Sequence, residues 1–573
     1  MKKIVYILLG ISTLCMMSCE KFLDTTSYTK KNTSNFPQTL EDATQLVTGI
    51  YAVLNKENMG NDNNGNGLTF FLLSDVASDD MLGGGGENDK KIQALDLLMN
   101  YQNNMLGQTW EDRYDGIYRA NMVLETIDDC DIDNEEQKKQ MKGEAYFLRS
   151  LFYFDLVSLY GEVPLVVSTQ TENLPKAPAD ELYAQISSDL NKAIELMSDK
   201  PYDKFVAAGH ATKWAAEALM ARVFLFYTGF YGKSDLPMAP EGSIVKAQVI
   251  SWLEDCINNS GHSLVPDYRN LWSYTNRFTV EDYDYTKGQN LSWVENDGAV
   301  NPETIFSIKY SNFSSYAEGK GYGNQTILRC GLRGGQNYEN TFPYGQGWGW
   351  CTVNPKLWNE WVVGEPNDIR RSASIIDIPG ELPGYSKGGW NDYVQETDYA
   401  NKKYMPVTAR QSDGGITMYS SLMYGTTEDY QLGLTQDLVL IRLADVYLMH
   451  SELTETNTYM NKVRERVGLD DIPYSLKSIQ NERRWEFAFE GLRWNDIRRW
   501  GIAADVLENQ IGEPCYFKGE PDVTKSFGGG YSARYNETKG FYPIPDDQIS
   551  LSEKVLTQND GWGTSDAEYN GWK

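Results

Sequence analysis

The sequence predicts a mainly α-helical protein in which packed helical pairs surround an irregular insert of loops and short strands. Three observations predict it. Apolar residues recur at helical spacing in GEAYFLRSLFYFDLVSLYGEVPLV and in HATKWAAEALMARVFLFYTGFYG. The stretch from about Leu264 to Tyr430 turns to Gly, Asn, Tyr, Trp and Asp, with only short apolar runs such as TIFSIKY. Helical periodicity then returns at QDLVLIRLADVYLMHSELT. Spacings of three and four place side chains on one helix face, whereas runs of Gly and Asn favour turns.

Taken in order, the chain opens with MKKIVYILLGISTLCMMSC, where Lys2 and Lys3 precede an apolar run too short to span a bilayer. Residues 1–18 read as a signal peptide, and the Ser18-Cys19 junction resembles a bacterial lipoprotein signal that leaves Cys19 as an acylated N-terminus. Residues 19–38 are rich in Thr, Ser and Lys, as a flexible tether is. No later run is apolar for long enough to cross a membrane. Residues 39–232 form the first helical region. There Leu148, Leu151, Phe152, Leu156 and Leu159 share a face, and Gly161 and Pro164 stop the helix. Trp214, Ala218, Ala221 and Leu225 repeat the pattern with small residues that let a second helix approach. Such pairs are loosely tetratricopeptide-like, although no strict repeat period runs through them. Residues 233–430 form the loop-rich insert, and residues 431–573 supply C-terminal helices and a tail that pack on the scaffold.

The stretch NERRWEFAFEGLRWNDIRRWG, Asn481 to Gly501, looks like a basic patch until its charges are counted. Arg483, Arg484, Arg493, Arg498 and Arg499 are set against Glu482, Glu486, Glu490 and Asp496. Helical spacing pairs Arg483 with Glu486, and Asp496 with Arg493 and Arg499. Trp485, Phe489 and Leu492 form one apolar stripe, and Phe487 and Trp494 a second, with Gly491 as a close approach or a break. This is the pattern of a segment packed on two sides.

The net charge of -28 disfavours a general nucleic-acid binder, whose phosphate affinity comes largely from clustered Lys and Arg. After Cys15 and Cys19, the cysteines are Cys130, Cys256, Cys330, Cys351 and Cys515, odd in number and without metal-ligand spacing. NDNNGNG begins like a calcium loop, but the twelfth position from Asp62 is Leu73 rather than a bidentate Glu. GFYGKSD ends like a phosphate loop, but Tyr227 stands where the first Gly is needed. The run Gly83 to Gly86 reads as a mobile surface loop. His210, His262 and His450 are far apart, so neither a metal site nor a nucleophilic triad is indicated. Acidic pairs for glycoside hydrolysis have no supporting local spacing.

The segments CEKFLD, LRSLFYFDLVSLYGEVPL, LVLIRLADVYLMHSE, NKVRERVGL, ERRWEFAFEGLRWNDIRRWG and YPIPDDQI follow one another over nearly the whole chain. Together they resemble the SusD/RagB family. The resemblance implies a surface glycan-binding lipoprotein of Bacteroidetes outer membranes, built on tetratricopeptide-like helices and capping a SusC-like TonB-dependent transporter. It implies no enzymatic activity and no cofactor. The competing readings are a surface glycoside hydrolase and a peptide-capturing lid for such a transporter. A glycan site needs aromatic planes for the sugar C-H faces and polar groups for the hydroxyls. Gly345, Gly347 and Gly349 keep Trp348 and Trp350 out of a regular helix, and an extended chain puts both on one face. This segment looks like the place where the family carries part of its aromatic platform, with Asn337 and Tyr338 beside it. Trp293 is a second candidate and Trp272 a core position. Asp80 resembles a polar contributor on a facing loop. The glycines at 83–86 lack the aromatic that relatives carry there, so a wider or more mobile site is expected.

Overall fold

The computed structural model describes residues 36–56, 69–102, 104–170, 172–205, 209–310, 312, 323–334, 338–388 and 393–572. Cys19, the NDNNGNG segment and Asn337 lie outside the described residues.

The N-terminal half is a succession of helices: α1 (Leu40–Lys56), α2 (Phe70–Val76), α3 (Lys90–Asp96), α4 (Gly107–Thr126), α5 (Glu135–Tyr160), α6 (Ala179–Leu196) and α7 (Lys213–Tyr231). α1 packs on α4, α4 on α5, α5 on α6, and α6 on α7. The boundaries follow local chemistry. Asn134 caps α5 by accepting from Gln137 N, and the helix stops at Gly161, whose φ is 73°. Thr212 caps α7 in the same way, and Gly232 ends it in the left-handed conformation. Ala215, Ala216, Ala218 and Ala221 are fully buried, so α7 accepts close neighbours along its length. The helical run continues past Gly232: α8 (Lys246–Asn259), with Val249, Leu253 and Cys256 buried, packs on α7.

Beyond α8 the chain is irregular, with strands in two-stranded pairs among the described residues. The strand Thr304–Ile308 pairs antiparallel with Leu438–Arg442, which joins the two ends of the irregular region. The chain then enters α9 (Leu443–Thr454), which packs on α8. Most buried apolar residues of helices and insert form one continuous core.

Two sequence expectations are corrected. The glycines at 83–86 are not a mobile surface loop, because β1 (Met81–Gly84) pairs antiparallel with β2 (Trp350–Val353) and residues 81–86 are buried. A Cβ on Gly83 would lie 2.6 Å from Gln93 Cα, and one on Gly84 2.5 Å from Gly349 O. These positions are glycine because other backbone passes against them. The expected wider or more mobile site loses its basis.

The second correction concerns the arginine-rich stretch. It is packed, but most of its charges meet partners distant in sequence. α10 (Leu476–Glu486) and α11 (Arg493–Arg499) are separated by Gly491, where a Cβ would lie 2.8 Å from Phe71 Cα. Arg483 donates to Asp496 (2.9 Å) and Asp445 (2.7 Å), and Arg493 to Asp79 (2.7 Å). Glu486 is held by Arg370, Arg442 and Arg466 rather than by Arg483. Only the Asp496 to Arg499 pair follows the expected helical spacing (2.8 Å). The helix ends at Glu486, so Phe487 and Phe489 leave the turn, while Trp485 stacks on Trp361 at 4.9 Å.

Candidate functional site

The candidate segment is positioned by backbone approach. Asn324 caps the short helix Gln325–Cys330, and the chain later returns beside it. Gly347 N donates to Leu332 O (2.9 Å), Gly349 N to Gly331 O (2.8 Å) and Trp348 N to Leu328 O (2.9 Å). A Cβ on Gly331 would lie 2.8 Å from Gly347 Cα, so only glycine fits. Gly349 adopts φ 70°, and the Tyr393 hydroxyl donates to its carbonyl (2.9 Å).

This bend gives the two tryptophans different surroundings. Trp350 opens β2 opposite Gly84 and is only 8% exposed. The Arg329 guanidinium lies 5.6 Å from its ring centroid. Trp348 is half-buried, and its ring centroid stands 5.6 Å from that of Trp350 at an angle of 59°. Arg333 donates to the Trp348 carbonyl (2.7 Å) and pairs with Asp89 (3.1 Å). Trp348 is only partly buried whereas Trp350 belongs to the core, which corrects the expectation that both tryptophans face a ligand.

Tyr338, also half-buried, opens the one-turn helix Tyr338–Thr341. Partial burial, then nearby Tyr430 and Asp429, holds its hydroxyl above the usual phenol range. Glu339 pairs with Arg410 (3.5 Å), whose guanidinium lies 4.6 Å from the half-buried Phe342 ring. Phe342, Arg410 and Tyr430 escaped sequence reasoning. Arg410 comes from the hairpin of Thr408–Arg410 with Ile416–Met418, and Tyr430 from a later turn, so no local spacing announces them.

Trp293 and Asp80 offer no surface to a ligand, which corrects both expectations. Trp293 is 3% exposed and stands perpendicular to Tyr419 at 5.7 Å. Asp80 is 2% exposed and accepts from Arg484 Nε (2.7 Å), beside the Asp79 to Arg493 pair. Its charge is committed to the scaffold. Trp272 is buried, as its surroundings suggested. The histidines stay apart: His210 contacts Glu144, His262 the Pro302 carbonyl, and His450 Glu254. Among the described residues no helix is long and apolar enough to cross a membrane, and no His, Cys, Asp and Glu cluster is suited to a metal ion.

Comparison with known proteins extends the match over the chain. Residues 21–225 match a family described as "Starch-binding associating with outer membrane", and residues 302–562 match the SusD family. A SusD-like protein of Formosa agariphila is 25% identical over 88% of this chain and 91% of its own length. The starch-binding protein SusD of Bacteroides thetaiotaomicron is 21% identical over 76% of this chain and 75% of its own. Among solved structures, a laminarin-binding SusD-like protein superposes with a TM-score of 0.67 at 25% identity, covering 92% of this chain and all (100%) of the other. A surface glycan-binding protein A of Bacteroides thetaiotaomicron, in complex with laminarihexaose, has the same fold, with a TM-score of 0.67 at 21% identity over 91% of this chain and 100% of the other. The last three of these are named as binding proteins. Two family models in chain order, a mainly α scaffold with a short-stranded insert, and a shared fold over nine-tenths of the length lead to one conclusion: the chain belongs to the SusD/RagB family.

Proposed function

We propose that this protein is a surface glycan-binding lipoprotein, anchored through Cys19, that captures oligo- or polysaccharide and passes it to a SusC-like TonB-dependent transporter without cleaving it. The observation that carries the reading is Trp348. It is a partly buried indole in tilted contact with the buried Trp350, with Arg333 donating to its carbonyl. Elsewhere in the insert Tyr338, Phe342 and Tyr430 are partly buried aromatics, and the exposed Arg410 lies over the Phe342 ring. Sugar rings stack on such faces, and their hydroxyls bond to such rims. The laminarin-binding relative, aligned over 92% of this chain, supports the class of ligand and makes laminarin the first glycan to test.

Affinity electrophoresis against a polysaccharide panel, with product analysis of the same incubations, tests the reading. Retardation by at least one glycan with no chain shortening is expected. Chain shortening would make the protein a hydrolase. Neither retardation nor shortening would favour a lid for another cargo.

A further inference from the structure

The C-terminal ends of α5 and α7 open onto a cleft of about 1080 Å³, completed by residues 175–179, the helix Tyr531–Thr538 and tail residues 555–560. It is large enough for a ligand, and no residue of the insert lines it. Its walls are tied together. The Tyr542 amide donates to the Leu159 carbonyl (2.7 Å), and the Asn559 side chain donates to the carbonyls of Tyr160 (2.9 Å) and Tyr542 (2.7 Å).

Two donors in this cleft are left with bonds to make. Asn559 Oδ1 accepts from Lys176 Nζ (2.7 Å), and among the described residues the ammonium has no other hydrogen bond and no ion pair. Burial holds it below its ordinary range, against the opposing pull of Glu162 and Asp560. The second donor is Tyr231, whose hydroxyl has no hydrogen-bond partner among the described residues and is pushed up to about 12, chiefly by burial. Groups withdrawn from water in this way ordinarily find partners. Tyr535, partly buried, supplies an aromatic wall, and its ring partner Trp494 meets it edge to face at 6.1 Å.

The lining also says what kind of ligand fits. Glu162, Glu537 and Asp560 outnumber Lys176 and Lys539, in a chain of net charge -28, so an anionic ligand is disfavoured. A peptide is held by an open strand edge or by a helix-wide apolar groove, whereas no strand lines this cleft and its apolar surface is interrupted by ammonium, carboxylate and amide groups. Aromatic rings beside such polar groups suit a ring with C-H faces and a rim of hydroxyls. We propose that this cleft is a second saccharide-binding site, on the helical scaffold, which takes a neutral oligosaccharide whose hydroxyls bond to Lys176 Nζ and the Tyr231 hydroxyl and whose ring packs on Tyr535. The proposal rests on the glycan-binding reading and adds to it a place remote in sequence from Trp348. A long glycan then has two points of attachment on one copy of the protein.

The test is photo-cross-linking with a diazirine derivative of laminarihexaose, and of each further oligosaccharide whose parent polysaccharide retards the protein, followed by peptide mapping. The expected result is labelling of peptides containing Tyr160, Tyr231 or Tyr535 as well as peptides of the insert, all of it abolished by excess underivatised oligosaccharide. The double variant K176M/Y231F keeps the lysine stem and the tyrosine ring. It should melt near wild type, lose the labels of the cleft and keep those of the insert. In Trp348→Ala protein it should weaken the remaining retardation by the polysaccharide roughly fivefold for each hydrogen bond lost. Labelling of the insert alone would overturn the second site and leave the glycan reading standing, whereas no labelling with any of the oligosaccharides would overturn both. Cleft labels that persist in folded K176M/Y231F, or under excess oligosaccharide, would also overturn the proposal. Displacement by a peptide mixture and not by oligosaccharide would make the cleft a peptide groove instead.

Discussion

At the scale of single residues, the candidate site rests on a difference between two neighbouring indoles. Trp348 is only partly buried, whereas Trp350 is packed among Gly85, Arg329 and Trp348. Stacking a sugar on Trp348 removes ~100 Å² of apolar surface from the two partners together, worth about 2.5 kcal/mol at the usual coefficient, or roughly 60-fold in Kd. Trp348→Ala should therefore lose most glycan affinity while its circular dichroism and thermal midpoint stay near wild type. Trp350→Ala opens a core void and should cost about 3 to 5 kcal/mol of stability, so affinity and melting temperature fall together. Isothermal titration beside thermal melts separates the two. Wild-type affinity in folded Trp348→Ala would remove this surface from the site.

At the scale of elements, the arginine-rich helices hold distant pieces of chain together through buried charge. Arg484 reaches Asp79, Asp80 and Glu360, so Arg484→Ala leaves the buried Asp80 without its guanidinium and should cost about 3 to 5 kcal/mol. Glycan affinity of the surviving folded protein should be close to wild type. Lost binding at an unchanged melting temperature would instead place α10 in the site. A pH dependence belongs to the β1 and α3 junction. There Asp96 accepts from Gly83 N (2.9 Å) and from the Tyr531 hydroxyl (3.2 Å). Burial outweighs these bonds and raises its carboxyl to about 7. Unfolded Asp titrates near ~3.9, so between these values the folded state holds a proton that the unfolded chain has lost. This group's contribution then falls as pH rises through the window and is flat above it. Thermal melts should show wild type losing ground to Asp96→Asn between about pH 4 and pH 7. Parallel pH curves for the two proteins would show that Asp96 titrates as in the unfolded chain.

At the scale of the whole molecule, a few stacked faces and hydrogen bonds of about 1 kcal/mol each must offset the entropy of ordering a flexible chain, which leaves affinity roughly in the micromolar to millimolar range. On the function proposed above, capture would rest on several anchored copies meeting repeated glycan units. Cys19→Ala should accordingly leave the protein unacylated and outside the outer-membrane fraction, with its affinity in solution unchanged. Unchanged fractionation and lipid labelling would reject the anchor.

Much of the architecture was legible in the sequence. The helices ending at Gly161 and Gly232, their buried Ala and Leu faces, and the packed character of the arginine-rich stretch all follow from period and capping, which are local properties of the chain. The Gly-flanked, non-helical setting of Trp348 and Trp350 was legible as a short-range pattern, but the burial of Trp350 was not. The tertiary structure alone decided which charges pair, because Asp79, Asp445 and Arg370 reach α10 and α11 from far along the chain. It alone buried the glycines at 83–86, the first two in a strand, since their use depends on which backbone passes against them. It also withdrew Trp293 and Asp80 from the surface and brought Phe342, Arg410 and Tyr430 towards it, because exposure is a property of the packed whole that no spacing encodes.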